Sequence, residues 1–383
     1  MKLRILHVGK FFPPFVGGIE NFLADLSLAQ TKLGNEIYVL VHNHIFRQAK
    51  RQENWKGVKI VRSLTLGQLF YTPLTPTLPI DLLYLIRNFK PHILHLHVPN
   101  PIAIWAPILA PKTKIVLHWH SDVIPSSFDK KLQFLYRLYR PFERFLLNRA
   151  DLIIATSPHY RDTSLSLQNF LNKTAIVPLG INPKRIFIPD KSQIERIKRN
   201  FLNSLILSVG RLTYYKGFSY LIEAMASVPS ATLLLIGSGN QKRFLLRKIE
   251  ELNLGERVKL MSGVSDPELH SYMSACKVFC LPSVERTEAF GLVLLEALFF
   301  GRPLITTKVL GSGMNWINKD HETGLVVPPA DSQALAKAIN CICNNSVLYQ
   351  KLANGARARF EEKFHINNVA CQIQSLYESV LSS

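Results

Sequence analysis

Short runs of β-branched and leucine-rich residues, apolar almost throughout and bounded by Gly or Pro, alternate along the chain with amphipathic stretches. In the first half the runs fall at residues 4–9, 36–42, 58–62, 93–98, 114–120, 151–156 and 175–178. In the second they fall at 205–210, 231–237, 257–261, 277–281 and 303–306. Strands apolar on both faces belong to parallel sheets covered by helices, and their alternation with helical patterns predicts repeated βαβ units. The halves open alike: Ile5-Leu6-His7-Val8-Gly9-Lys10 is echoed by Ile206-Leu207-Ser208-Val209-Gly210-Arg211. Each is followed by a glycine-containing loop and a helical stretch, 19–33 and 218–226. The expected class is α/β, with two doubly wound domains facing each other across a cleft; a common first-strand text is the plainer account of the echo. The domains are expected at 1–190 and 200–363, joined by the polar stretch 189–203. The helical segment 364–383 is able to pack back on the first. Ligands of open α/β sheets bind beyond the carboxyl ends of the strands, so the loops after Gly9, His120, Gly210 and Leu281 are expected to line the site.

Composition narrows the picture. At 383 residues the chain exceeds the size of one hydrophobic core. No apolar run reaches the roughly 18 residues of a membrane span, and the opening apolar segment, ending at Gly9, is too short for a signal peptide. Five cysteines without a CxxC pair read as reduced thiols. These features predict a cytoplasmic protein. Lys and Arg outnumber Asp and Glu 46 to 27, a net charge of +19 that calls for an anionic partner. No helix-turn-helix, zinc-finger or RNA-binding aromatic motif is present, which ranks nucleic acid last and leaves an anionic membrane face or a phosphorylated substrate.

Four clusters carry candidate chemistry. Gly17-Gly18, between a strand and a helix, lets backbone amides approach a phosphate, or forms a plain turn. His118-Trp119-His120-Ser121-Asp122 closes a strand; His120 can orient or polarise a reacting group. A structural histidine and a metal site are the other readings, and no third ligand is evident for the metal. Arg211 at a strand end and Lys216 ahead of a helix can clamp a diphosphate and stabilise a departing phosphate, or be solvated cations. Glu288 to Glu296 is the most specific text. A helix is expected to start near Phe290 or Gly291, with Glu288 in the loop before it and Glu296 inside it. The two carboxylates then touch separate parts of one elongated ligand, while the N–H groups of Phe290, Gly291 and Leu292 face phosphate oxygens.

Several chemistries are not supported. Gly237-Ser238-Gly239 lacks the third glycine of a dinucleotide fingerprint. There is no Gly-Lys-Ser/Thr phosphate loop, and no Asp-x-Asp to hold a divalent metal on a diphosphate.

Together the clusters resemble the retaining glycosyltransferases of family 4, which have the GT-B fold of two facing Rossmann-like domains. Lys10-Phe11-Phe12-Pro13-Pro14, Gly17-Gly18-Ile19-Glu20, Pro178-Leu179-Gly180-Ile181-Asn182 and the stretch from Glu288 to Glu296 carry the likeness, over nearly the whole chain. The family often has Asp where Asn182 stands. The resemblance implies that Gly17 and Gly18 bring amides to a donor diphosphate, bound also by Arg211 and Lys216. It implies that Glu288 holds hydroxyls of the transferred sugar, with amides from Phe290, Gly291 and Leu292, and that Glu296 binds the ribose. His120 is then expected at the anomeric centre. The implied donor is a GDP- or UDP-sugar, with mannose from GDP-mannose favoured, and no cofactor or metal is expected. The rivals are a two-lobed sugar-binding protein, a sugar-nucleotide epimerase or dehydrogenase, and a phosphorylase needing a pyridoxal phosphate lysine. Residues 128–149 interleave Lys130, Lys131, Arg137, Arg140 and Arg144 with Phe134, Tyr136, Tyr139 and Phe145. That suits anionic lipid and a lipid-linked acceptor, or an ordinary helix with a solvated face; Pro141 is expected to break it.

Overall fold

The computed structural model describes residues 2–69, 72–123, 130–201 and 204–382, with the side chains of all but 130–133. Phe128, Asp129 and Asn203, and the side chains of Lys130 and Lys131, lie outside the described residues. The chain divides into two compact units, Met1–Gly180 with Ile366–Ser383, and Ile181–His365.

The first unit holds β1 (Arg4–Val8), β2 (Glu36–His42), β3 (Arg51–Trp55), β4 (Val58–Ser63), the small hairpin β5 (Gly67–Leu69) and β6 (Thr72–Leu74), β7 (Ile93–Val98), β8 (Lys114–Trp119), β9 (Leu152–Ala155) and β10 (Thr174–Ile176). Eight of these form one sheet in the order β10-β9-β8-β7-β1-β2-β4-β3. It is parallel except at β3, whose Arg-Gln-Glu-Asn-Trp text has no apolar pattern because it is a solvent-facing edge strand. In the middle of the sheet β7 is buried along its whole length. The Ile366–Ser382 helix packs on this unit: Gln30 Nε2 donates to Tyr377 Oη at 3.1 Å and Asn35 Nδ2 to Gln374 Oε1 at 2.9 Å.

The second unit is a six-stranded parallel sheet of β11 (Ser204–Val209), β12 (Ala231–Ile236), β13 (Val258–Met261), β14 (Val278–Leu281), β15 (Leu304–Thr307) and β16 (Gly324–Val327), in the order β13-β12-β11-β14-β15-β16. Its core joins Ile206, Leu233 and Leu235 from the strands to Phe218, Leu221 and Leu335 from the helices. Among the described residues no helix is long and apolar enough to cross a membrane.

Two expectations need correction. Residues 181–190 belong to the second unit, not the first, because Ile181 N–H donates to the Phe364 carbonyl at 3.0 Å and Phe187 N–H to His270 Nδ1 at 3.1 Å. The expected connecting stretch is itself a helix, Lys191–Asn200, started by a capping box between Asp190 and Gln193. Pro141 does not break its helix either, which runs from Lys130 to Arg149. Tyr136 Oη donates to Glu143 Oε1 at 3.2 Å across the proline turn, and buried Leu146 and Leu147 hold the turn beyond it.

Candidate active site

Each unit carries a polar cluster toward the carboxyl end of its sheet. In the first, the parallel register sets His7 of β1 beside His95 of β7, and His97 beside His118 of β8. With His120, just past β8, they form a stack of five fully or almost fully buried imidazoles. His7 Nε2 lies 2.7 Å from Gln30 Oε1, His7 Nδ1 3.1 Å from His97 Nε2, and His97 Nδ1 2.9 Å from His120 Nε2. A second arm runs from Tyr377 Oη to His95 Nδ1, and from His95 Nε2 to His118 Nδ1 at 3.3 Å. Both arms meet at Gln30. At the far ends, His118 Nε2 and His120 Nδ1 are buried with no partner among the described residues.

Burial keeps these rings neutral. The pKa of His7 is lowered to about 4 and that of His120 to about 3, while His95, His97 and His118 fall well below their usual value, with neighbouring imidazoles adding to the effect. The sequence offered no third metal ligand beside His118 and His120; the structure supplies one in His97, and groups His7, His95 and His97 likewise. The rings of His97, His118 and His120 lie within 15° of parallel. Ligands of one ion must instead aim their lone pairs at a common point about 2.0–2.1 Å away. The His97–His120 spacing is that of a hydrogen bond.

Gly17 and Gly18 open the Gly18–Lys32 helix of the same unit. Its start already faces a carboxylate: a Cβ on Gly17 would lie 2.1 Å from Glu20 Oε2. Burial raises the Glu20 pKa, against a hydrogen bond from its own backbone and the charge of Lys10. The loop after His120 is pinned, with Trp119 Nε1 and Ser164 Oγ both donating to Asp122 Oδ1 at 2.7 Å.

In the second unit, Gly217 takes φ +67°, and a Cβ there would meet the Pro282 carbonyl at 2.1 Å. That close approach lays the loop after β11 against the loop after β14, where Val284 N–H donates to the Tyr215 carbonyl at 2.8 Å. It brings Lys216 Nζ to 2.5 Å from Glu288 Oε2, both side chains about nine-tenths buried. Ser283 Oγ donates to the same carboxylate oxygen at 3.3 Å. Arg211 is exposed, and among the described residues its side chain donates to the Tyr215 hydroxyl at 3.4 Å.

The helix beyond Glu288 begins later than expected, at Val293, because Gly291 takes φ +87°. The N–H groups of Phe290, Gly291 and Leu292 therefore lie in the turn before the Val293–Phe299 helix, and none donates to an acceptor among the described residues. Glu296 sits one turn inside, with Oε1 3.5 Å from Arg185 Nη2 and Oε2 4.0 Å from His270 Nε2. His270 Nδ1 is taken up as acceptor from Phe187 N–H, so its Nε2 carries the hydrogen that faces Glu296. Burial lowers the His270 pKa.

Residues 16–185 match the model described as Glycosyltransferase Family 4, and residues 191–359 that of glycosyl transferases group 1. Over 92% of both chains the sequence is 32% identical to the lipopolysaccharide core biosynthesis glycosyltransferase LpsE of Rhizobium meliloti (strain 1021). The chain belongs to glycosyltransferase family 4. This glycosyltransferase is also 28% identical, along the full length of both chains, to O-antigen chain mannosyltransferase C of Escherichia coli. Sucrose-phosphate synthase from Thermosynechococcus elongatus shares its GT-B fold, with a TM-score of 0.80 at 23% identity over 100% of both chains.

Within the enzyme's second unit, Lys216 and Glu288 come together and Glu296 stands apart with its own partners. Sequence reasoning missed Arg185, His270, Glu20, His7, His95 and His97. The repeated His-x-His at 95–97 and 118–120 was the available signal for the last two.

Proposed function

We propose that this glycosyltransferase moves a hexose, with retention, from a nucleotide-sugar to a lipid-linked or glycan acceptor in surface polysaccharide synthesis. The observation that carries the reading is the buried Lys216–Glu288 pair beside the unclaimed amides of Phe290, Gly291 and Leu292. A cation and N–H groups with no acceptor among the described residues suit a diphosphate, and a carboxylate held by that cation suits sugar hydroxyls. In this reading Arg211 and Lys216 bind the diphosphate with those amides and with Gly17 and Gly18. Glu288 holds the transferred sugar. Glu296, flanked by Arg185 and His270, takes the ribose hydroxyls, and His120 supports the anomeric centre.

The chemistry needs no protein nucleophile. The leaving phosphate takes the acceptor's proton as the acceptor attacks from the same side, and the protein contributes position and charge. No metal is required. Mannose from GDP-mannose is favoured by the likeness to the Escherichia coli mannosyltransferase, with UDP-hexoses next. A peripheral membrane site is supported by the Lys130–Arg149 helix. Its Phe134, Leu138, Phe142 and Phe145 form one exposed face with Arg137, Arg140 and Arg144 nearby, each cation adding about 1 kcal/mol on anionic lipid.

A screen of GDP- and UDP-sugars for nucleotide release, with and without EDTA, tests the reading. GDP-mannose should turn over and EDTA should leave the rate intact. Glu288→Ala should lower turnover about 100-fold, whereas Glu296→Ala should mainly weaken nucleotide binding. Full activity in Lys216→Ala would sink the diphosphate assignment, and failure to float with anionic vesicles at low salt would remove the membrane site.

A further inference from the structure

The five imidazoles form a single hydrogen-bonded object with one controlling group. A neutral imidazole has one N–H and one lone pair, so each ring passes the direction of its hydrogen bond to the next. Gln30 stands at the junction. Its Oε1 faces His7 Nε2 at 2.7 Å and its Nε2 faces Tyr377 Oη at 3.1 Å.

From the amide oxygen the sequence is forced. His7 must donate from Nε2 to Gln30, leaving Nδ1 to accept from His97 Nε2, and His97 Nδ1 then accepts from His120 Nε2. His120 is left with a bare Nδ1 lone pair. From the amide nitrogen the second arm is forced in the same way. Tyr377 accepts from Gln30, so its hydroxyl donates to His95 Nδ1; His95 Nε2 donates to His118 Nδ1, and His118 ends in a bare Nε2–H. All five rings therefore share one tautomer. Reversing the Gln30 amide reverses every bond in both arms and puts all five in the other, so mixed states leave a buried donor facing a donor, at a cost of about 1–3 kcal/mol.

We propose that Gln30 is a positioning residue that sets the tautomers of His7, His95, His97, His118 and His120 together, and that it holds His120 with Nε2 protonated and Nδ1 as a lone-pair acceptor. Resting on the transferase reading, this assigns His120 a hydroxyl of a bound sugar as its partner. A lone pair attracts an O–H and repels phosphate oxygens, so the group that His120 selects is not an anion. Tyr377, on the C-terminal helix, relays the same setting to His118.

The test is nitrogen NMR of protein labelled with 15N-histidine, which reports tautomers without any turnover. In the wild-type protein near neutral pH, all five rings should be neutral and Nε2-protonated. Any mixture of tautomers among the five, or a uniform Nδ1-protonated set, overturns the proposal. Gln30→Glu supplies the second measurement, taken at a pH where the infrared band of the introduced carboxyl shows it ionised. A carboxylate accepts from both His7 Nε2 and Tyr377 Oη, so Tyr377 must accept from His95. His95 and His118 should switch completely to Nδ1–H while His7, His97 and His120 stay. No switch, or a switch in both arms, overturns the control by Gln30. Absence of nucleotide release from every donor, with the tautomer pattern intact, would instead remove the transferase reading and leave the network standing.

Discussion

The two units place polar groups inside a parallel α/β sheet in opposite ways. The first buries five neutral imidazoles in the middle of its sheet and links them to one another, so the interior of β1, β7 and β8 carries hydrogen bonds but no charge. The second keeps charge out of the buried positions of its strands and gathers it in the loops and helices beyond them, as the Lys216–Glu288 pair and as Glu296 with Arg185 and His270. A neutral network is indifferent to salt and vulnerable to protons. A buried ion pair depends instead on both partners being present, since either alone is an uncompensated charge.

Acid should break this comparison most sharply. The stack imidazoles have folded pKa values depressed below the unfolded value near 6.5, to about 4 for His7 and about 3 for His120. Below pH 6.5 the unfolded chain therefore binds protons that the folded first unit does not. Its stability is full above about pH 7 and falls as the pH drops toward about 4, by about 1.4 kcal/mol per pH unit for each histidine and up to about 7 for the five together. Amide exchange resolved by unit, followed from about pH 7 to about pH 5, should show β1, β7 and β8 losing protection ahead of β11, β12 and β14. Equal losses in the two sheets would mean that the stack does not govern acid stability.

The same contrast explains what could be read from the sequence. Strands such as Leu152–Ala155 and Ala231–Ile236 announce themselves because burial on both faces leaves them apolar almost throughout. Arg51–Trp55 does not, because an edge strand answers to solvent. Glu288 and Lys216 stood out as charges in apolar text, yet their pairing was hidden, because 72 residues separate them and the close approach of Gly217 to Pro282 brings the loops together. His7 was read as part of a strand and His95 and His97 likewise. Nothing local shows that three strands align their histidines; that is a matter of strand order, β7-β1 and β7-β8, which follows from the crossovers. The delayed helix start at Val293 is the work of a glycine at φ +87°, a backbone state that the text Phe290-Gly291-Leu292 permits without requiring.

Removing one member of the charged pair comes next in size. Lys216→Met should destabilise the second unit by about 3 kcal/mol, since it strands the Glu288 carboxylate about nine-tenths buried. The double change Lys216→Met with Glu288→Leu should restore most of that loss while leaving the enzyme inactive. Urea unfolding of the single and double variants measures this. Additive losses would show that the two charges are solvated separately and that the pair is incidental.

The smallest effect isolates what a single neutral polar group is worth inside the second sheet. Ser208 is fully buried in β11, and its Oγ donates to the Cys280 carbonyl of β14 at 2.6 Å. Ser208→Ala removes the donor and leaves a buried carbonyl without it, so the cost should be about 1–2 kcal/mol. It should also be the same at about pH 8 and about pH 5, because neither group titrates in that range. A loss measured by urea unfolding that grew toward acid would mean that protons reach the second sheet as well. The division between a proton-sensitive neutral interior and a charge-paired loop site would then fail at its simplest point.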